Sequence, residues 1–290
     1  MVMTDLCSDV HIEPLPGTSR VGDTYVLLEH TGAWSHDILD GKTFTAEVSS
    51  QLKALDVGLY LIRKPGRAGH VDKPLKTVYL VFGSVGIAET LVVEKAEDIC
   101  SLDLSGPGKN GAVRVEDPIL LICTHAKRDA CCAIKGRPIA ASLCRAFPEA
   151  PIWECSHTKG HRFAPSMVLM PWGYAWGRLN EVASQELYRT ARRGELFLPG
   201  CRGRGLWEPE GQVAEIAVAE HVASNGEKPQ LGQFVWERID DSSLITEASG
   251  GRSWAVSMHE AEVEGVVASC GSPPTTGKAW FVDSVVQQRR

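Results

Sequence analysis

Apolar and polar positions form short blocks along the first part of the chain, and their spacing predicts strands alternating with a helix. Runs of apolar and β-branched residues predict strands, and one stretch with helical spacing lies among them. The predicted elements are the strands Tyr25–Glu29, Leu59–Arg63 and Val78–Phe82 and the helix Phe44–Leu55. Gly, Pro and Lys then dominate Ser105–Gly111, which predicts a linker. We therefore predict an N-terminal α/β domain over residues 1–112.

A second domain is predicted over residues 113–207, and its first strand is the unbroken apolar run Ile119–Cys123. Such a run is typical of a strand that helices cover on both faces. The later elements are a helix from about Asp129 to Phe147, a strand Pro151–Cys155, a hairpin of Ser166–Met170 and Ala175–Leu179, and a closing helix Glu181–Arg193. A strand, a crossover helix and a second strand form a parallel unit, and the full order β-α-β-β-β-α is that of a thioredoxin core.

The remaining residues, 208–290, are predicted to form a small α+β region. Helical spacing at Gln212–Ala223 is followed by two strand patterns, Gln233–Ile239 and Ser253–Met258. No motif in this region indicates a chemical role. The basic segment Arg202–Arg204 lies just before this region, and we interpret it as a loop. Such a loop either contacts a partner protein or an anion, or is simply exposed to solvent.

Composition and charge narrow the class of protein. The chain has 290 residues, of which 43% are hydrophobic and 23% charged, as in globular proteins with a packed core. A formal net charge of −6 gives no basic field for holding nucleic acid. The first residues resemble no targeting signal, and no stretch reaches the roughly 18 apolar residues of a membrane span. We predict a soluble cytoplasmic protein that binds neither nucleic acid nor membrane.

The nine cysteines indicate a metal or redox site rather than a disulfide framework. A chain of this size needs no disulfides to fold, and five of the nine cysteines fall between residues 123 and 155. Cys123 ends the first strand of the second predicted domain, and Cys132 lies in the first turn of the next helix. His157 and His161 follow the second strand. Because parallel strands end at the same edge of a sheet, we expect these four side chains to converge there.

Two thiolates and two imidazoles suit either one Zn²⁺ or a [2Fe–2S] cluster. With Asp129 as N-cap, the free backbone N–H groups of the helix favour a thiolate at Cys131 or Cys132. Zinc fingers usually take their cysteines from a Cys-x2–4-Cys turn, whereas eight residues separate Cys123 from Cys132. The spacing favours iron but leaves a structural zinc module open. A thioredoxin-type thiol enzyme is a third option, against which the lack of any Cys-x-x-Cys argues.

The residues around the four ligand candidates resemble the sucrase/ferredoxin-like family. The similarity lies in Cys-Thr-His-Ala-Lys-Arg-Asp-Ala-Cys-Cys (123–132), Gly-Arg-Pro (136–138) and Trp-Glu-Cys-Ser-His-Thr-Lys-Gly-His-Arg-Phe-Ala-Pro (153–165). It continues through Leu-Met-Pro-Trp-Gly-Tyr-Ala-Trp-Gly-Arg-Leu (169–179), Arg-Gly-Arg (202–204) and Gln-Val-Ala-Glu (212–215). Weaker similarity in the first domain extends the resemblance over most of residues 20–220.

The resemblance implies a thioredoxin-like ferredoxin whose [2Fe–2S] cluster is held by two cysteines and two histidines. Carried over to this chain, these ligands would be Cys123, Cys132, His157 and His161. Cys132 is favoured over its neighbour Cys131 by the resemblance and by the eight-residue spacing. The implied function is electron transfer between a donor and an acceptor protein, so redox partner proteins are expected.

Two further points qualify the resemblance. The family commonly has glycines between its two histidines, whereas this chain has Thr158 and Lys159 before Gly160. No pair of carboxylates in the sequence supports the hydrolysis of a glycosidic bond. The word sucrase in the family's name therefore has no support in these residues. For the first domain, a degenerate thioredoxin-like fold is one option.

Overall fold

Ten strands form one continuous mixed sheet, and they come from both of the domains predicted over residues 1–112 and 113–207. The structure, a computed structural model, describes residues 6–240 and 242–289. The strands of the large sheet are β1 (Thr24–Glu29), β2 (Gly58–Arg63), β3 (Lys76–Phe82), β4 (Ile87–Val93), β5 (Val113–Arg114), β6 (Ile119–Cys123), β7 (Ile152–Cys155), β8 (Ser166–Met170), β9 (Tyr174–Gly177) and β10 (Cys201–Arg204). A second, four-stranded sheet consists of β11 (Phe234–Ile239), β12 (Ser242–Glu247), β13 (Ser253–Val266) and β14 (Thr275–Gln287). The predicted mixed α/β class is confirmed.

The α-helices begin where the sequence supplies suitable first residues. Their bounds are α1 (Ala46–Lys53), α2 (Ala130–Ala146), α3 (Glu181–Arg192) and α4 (Pro209–Ser224). Thr45, Asp129 and Asn180 cap the first three by accepting a backbone N–H from the first turn. Pro209 is the first residue of α4, where its missing N–H costs nothing. Across residues 6–240 and 242–289, none of the helices combines the length and apolar character needed to cross a membrane.

The two halves of the large sheet have the same internal strand order. In the first half, β1 lies between its parallel neighbour β2 and its antiparallel neighbour β3, and β4 pairs with β3. In the second half, β6 lies between parallel β7 and antiparallel β8, and β9 pairs with β8. The halves meet where β2 pairs antiparallel with β7. One hydrogen-bonded sheet thus extends across residues 112 and 113, and the domain boundary predicted there stays a prediction.

A buried ion pair joins the two halves at this junction. Arg63, at the end of β2, donates from Nε to the Glu154 carboxylate of β7 across 3.1 Å, and both side chains are buried. The Thr124 hydroxyl donates to the same carboxylate oxygen at 3.0 Å. Because two donors and an opposite charge satisfy this oxygen, the cost of burying it is offset. The junction fixes the ends of β6 and β7, which is where the candidate ligands lie.

The C-terminal residues form a sheet of their own, against which α4 packs. Its four strands follow one another as antiparallel neighbours, and β13 and β14 are long, with 14 and 13 residues. α4 lies between this sheet and β10. The connection between β13 and β14, residues 267–274, reaches back to the start of α2, where the Cys270 N–H donates to Asp129. Nothing in the local sequence pattern predicts this return.

The basic segment Arg202–Arg204, interpreted above as a loop, is instead the buried strand β10. Arg202 is fully buried, and its guanidinium donates to the hydroxyls of Thr18 and Ser166 at 3.0 Å. The guanidinium also lies 4.7 Å from the centre of the Phe163 ring. Burial lowers the pKa of Arg202 to about 10, so the side chain keeps its charge at neutral pH. The strand escapes prediction because Arg-Gly-Arg shows no apolar alternation.

Glu215 on α4 is a fully buried acid at the boundary between the two sheets. The Tyr174 hydroxyl donates to its Oε1 at 2.5 Å, and the Trp207 indole N–H donates to its Oε2 at 2.8 Å. Burial raises the pKa of Glu215 to about 7, although these two donors and Arg204 oppose the rise. The folded protein therefore binds a proton here that the unfolded chain releases near its ordinary pKa of 4.5.

This raised pKa predicts that the free energy of unfolding falls as pH rises from about 4.5 to about 7. The expected contribution of Glu215 is on the order of 3 kcal/mol, fully present below the lower value and lost above the upper one. Urea unfolding at several pH values checks it, with Glu215→Gln as the comparison because glutamine mimics the protonated acid. Parallel pH curves for the two proteins would contradict the prediction.

Candidate metal centre

Cys123 and Cys132 are brought together by the strand β6 and the helix α2. β6 is buried along its whole length, and Cys123 is its last residue. Asp129 caps α2 by accepting the Cys131 N–H at 2.9 Å, which starts the helix one residue before the two adjacent cysteines. Gly136, one turn further on, lets α2 approach β6 closely, because a Cβ there would overlap the Cys123 carbonyl. Both cysteines are buried, with exposures of 0% and 1%.

The two histidines lie after β7, and the first of them joins the cysteines directly. The ligand atoms of Cys123, Cys132 and His157 all lie within 4.8 Å of one another. His157 Nδ1 is 4.0 Å from Cys123 Sγ. The His161 ring lies 5.1 Å from the His157 ring, measured between centroids. Three of the four predicted ligands therefore form one group, and His161 stands beside it as the adjacent ring.

The electrostatics of the cysteine pair favour a single shared negative charge. A hydrogen bond with Cys132 holds the pKa of Cys123 well below the usual thiol value despite burial, and His157 lowers it further. The same hydrogen bond, together with burial, raises the pKa of Cys132 far above that value. The opposed directions of the two pKa shifts favour one proton held between the two sulfurs. A cation bound to both sulfurs would replace the remaining proton.

The two ring nitrogens of His161 have different surroundings. Its Nε2 donates to the Ala268 carbonyl at 2.5 Å and lies 3.1 Å from the Ser269 hydroxyl. Because the proton is held on Nε2, Nδ1 has a free lone pair. Among the residues that the structure describes, this buried Nδ1 has no hydrogen-bond partner. Burial lowers the pKa of His161, which favours the neutral ring, and a neutral ring with a free buried lone pair fits a metal ligand.

The loop between the histidines has a backbone shape that explains the family's preference for glycine. Lys159 has φ of 56°, in the left-handed region that glycine adopts most easily. At Gly160 a side chain would not fit, because a Cβ would lie 2.7 Å from Ser166 Oγ and would overlap the Arg202 guanidinium. The chain thus keeps its glycine where space demands one and accepts backbone strain at Lys159. The three intervening residues place the His161 ring next to the His157 ring.

An open cleft of about 420 Å³ borders the histidines, whereas the cysteines are enclosed. Both imidazoles contribute to its lining, together with the basic side chains Arg20, Arg128, Lys159 and Arg162. Asp37 is the acidic residue of the same lining. Solvent therefore reaches this group on its imidazole side.

Sequence reasoning missed the residues that the C-terminal region brings to the group. Ala268 and Cys270 lie in the β13–β14 connection, far from α2 in sequence and without a motif of their own. The structure places Cys131 with Cys7, Asp129 and Cys270 in a second set of donor atoms, apart from Cys123. Cys155, the last residue of β7, is buried in the core. All nine cysteines lie in the described ranges, and none of them forms a disulfide there.

The fold and this group define a mixed α/β protein with cysteine and histidine side chains placed to hold a metal. The profile of the sucrase/ferredoxin-like family matches residues 15–203, more than half of the 290-residue chain. The chain therefore belongs to the sucrase/ferredoxin-like family, as the motifs indicated. Neither a curated protein nor a solved structure matches it. The matched range contains all four predicted ligands and ends before the β13–β14 connection.

Gly160→Ala should disturb the histidine loop, because the new methyl group must displace the buried Arg202 or the loop itself. We expect the free energy of unfolding to fall by about 2 kcal/mol. Gly106→Ala is the matched control, since a Cβ at Gly106 meets no atom within 4 Å. Chemical denaturation of both variants checks the difference. Equal stability of the two variants would contradict the packing described for this loop.

Proposed function

We propose that the chain holds a [2Fe–2S] cluster through Cys123, Cys132, His157 and His161 and transfers electrons between partner proteins. The observation that carries the proposal is the approach of two buried cysteines and His157 to within 4.8 Å, with a second imidazole adjacent. Membership of a family described as ferredoxin-like supports it. The cytoplasm, where cysteines stay reduced, is the proposed location.

The strand order supports a thioredoxin-like reading of the cluster-binding half. There β9, β8, β6 and β7 are neighbours in that order, with β6 and β7 parallel and the connection made by α2. The first half has the equivalent order, β4, β3, β1 and β2, which supports a degenerate copy of the same fold. In such a fold, ligands at the carboxyl ends of the parallel strands share one edge of the sheet.

Burial argues against the two alternatives that the sequence left open. A thioredoxin-type enzyme must expose a sulfur to its substrate, whereas Cys123 and Cys132 have exposures of 0% and 1%. A structural zinc site is usually closed on all sides, whereas the histidines here line an open cleft. A centre that is enclosed at its sulfurs and open at its imidazoles suits electron exchange with a docked protein.

A bound [2Fe–2S] cluster of this ligand type accepts and returns single electrons, with a potential of roughly −150 to +300 mV. The protein itself keeps the two sulfurs away from water and sets where protons bind on the imidazole rings. His161 keeps its proton on Nε2 because that atom donates to the Ala268 carbonyl. His157 lines the cleft, so solvent reaches its ring. The basic cleft lining suits an acidic surface on the redox partner.

Removing one sulfur should remove the iron. We expect about two iron and two sulfide ions per chain in the wild-type protein purified without oxygen. Cys123→Ser should lose nearly all of both, because Cys123 supplies one of the two sulfurs that are grouped with His157. Cys144→Ser, which changes a half-buried cysteine of the same helix α2, should keep them. Metal and sulfide analysis of the three proteins checks the expectation, and an iron-free wild type would contradict the proposal.

Imidazole ligation also predicts a reduction potential that depends on pH. If an imidazole ligand takes up a proton when the cluster is reduced, the potential would fall as pH rises, by up to about 59 mV per pH unit. A redox titration at several pH values measures this slope. A potential that stays constant between roughly pH 6 and pH 10 would contradict histidine ligation.

A further inference from the structure

Three cysteines from distant parts of the chain meet one carboxylate beside the proposed cluster. Cys7 comes from the N-terminal segment, Asp129 and Cys131 from the start of α2, and Cys270 from the β13–β14 connection. The ligand atoms of these four residues all lie within 4.8 Å of one another. None of them belongs to the ligand set proposed above, and Cys7 and Cys270 lie outside the family match.

The spacing of the sulfurs is close to that around a single tetrahedral ion. The Sγ atoms are separated by 3.5 Å for Cys7 and Cys131, 3.2 Å for Cys131 and Cys270, and 3.7 Å for Cys7 and Cys270. Three sulfurs bound tetrahedrally to zinc at about 2.3 Å would be roughly 3.8 Å apart. The Asp129 carboxylate completes the set, at 3.2 Å from Cys270 Sγ and 3.9 Å from Cys7 Sγ. Small shifts would convert this arrangement into four-coordinate binding.

Hydrogen-bond donors around the group point at two of the three sulfurs and at the carboxylate. The Ser8 hydroxyl donates to Cys131 Sγ at 3.2 Å, and the Cys7 N–H donates to Cys270 Sγ at 3.5 Å. The N–H groups of Cys131 and Cys270 donate to the two oxygens of Asp129. Donors aimed at sulfur favour thiolates over thiols, as in protein sites that bind metals through cysteine.

Burial indicates a closed site rather than a reactive one. Cys7 and Cys131 have exposures of 1% and 0%, Asp129 is buried, and Cys270 is half-buried. Four protein ligands without an open position are typical of a structural zinc site, whereas a catalytic site keeps one position for water. Three thiolates and a carboxylate would be strongly repulsive in this setting without a cation among them.

We propose that Cys7, Asp129, Cys131 and Cys270 bind one structural Zn²⁺ ion. On binding, the three thiols release their protons to solvent, and the ion reduces the charge of the ligand set from −4 to −2. The ion fastens the N-terminal segment and the β13–β14 connection to the first turn of α2. Because Ala268, which orients His161, lies two residues before Cys270, the zinc site would also hold one wall of the proposed cluster site.

The test measures zinc in a protein whose first group is disabled. In the full-length double variant Cys123→Ser/His157→Ala, any tightly held zinc is bound elsewhere, and we expect about one ion per chain. Adding Cys270→Ser should lower the zinc content roughly tenfold or more after dialysis. Adding Cys100→Ser, a half-buried cysteine outside both groups, should leave the zinc content unchanged. Iron is measured separately on the wild type, so the two proposals fail independently.

A measurement without substitutions guards against misfolded variants. X-ray absorption at the zinc edge of the wild-type protein should show three sulfurs at about 2.3 Å and one oxygen. A shell of two sulfurs and two nitrogens would mean zinc in the first group and would overturn the proposal. Zinc content that is insensitive to Cys270→Ser would overturn it as well. So would a disulfide among the three cysteines in the freshly purified chain, seen as a mass loss of two hydrogens.

Discussion

The Asp129 carboxylate is the contact on which both cysteine groups depend. It starts α2 by accepting the Cys131 N–H at 2.9 Å, and it holds the β13–β14 connection by accepting the Cys270 N–H at 3.0 Å. The adjacent residues Cys131 and Cys132 then point to different surroundings, the first towards Cys7 and the second towards Cys123. If α2 began at a different residue, both sulfurs would be rotated out of place. One N-cap thus sets the position of two groups of candidate ligands.

The sheet supplies the other constraint, because it fixes where the strand ends lie. β6 and β7 are parallel and in register at Cys123 and Cys155, so the loop with His157 leaves the sheet beside Cys123. The buried pair of Arg63 and Glu154 holds this edge against the first half. The β13–β14 connection then contacts the His161 ring through the Ala268 carbonyl. The two halves of the large sheet and the C-terminal region therefore all contribute residues around the proposed centre.

Local pattern and motif spacing predicted the parts of this arrangement that depend on short stretches of sequence. The strand Ile119–Cys123, the capped helix after Asp129 and the return of His157 to the same edge follow from apolar runs, a capping residue and parallel-strand geometry. Arg202 escaped prediction because its burial depends on side chains from distant segments. Cys7 and Cys270 escaped for the same reason, since contact between residues separated by most of the chain leaves no local period.

The most direct test of the centre is magnetic resonance of the reduced protein grown with ¹⁵N-labelled histidine. Nitrogen bound to the cluster couples strongly to its electron spin, whereas nitrogen in the surrounding protein couples weakly. Histidine ligation predicts two strongly coupled ¹⁵N nuclei in the wild type and one in His157→Ala. A reduced protein whose spin shows no strongly coupled histidine nitrogen would contradict the account.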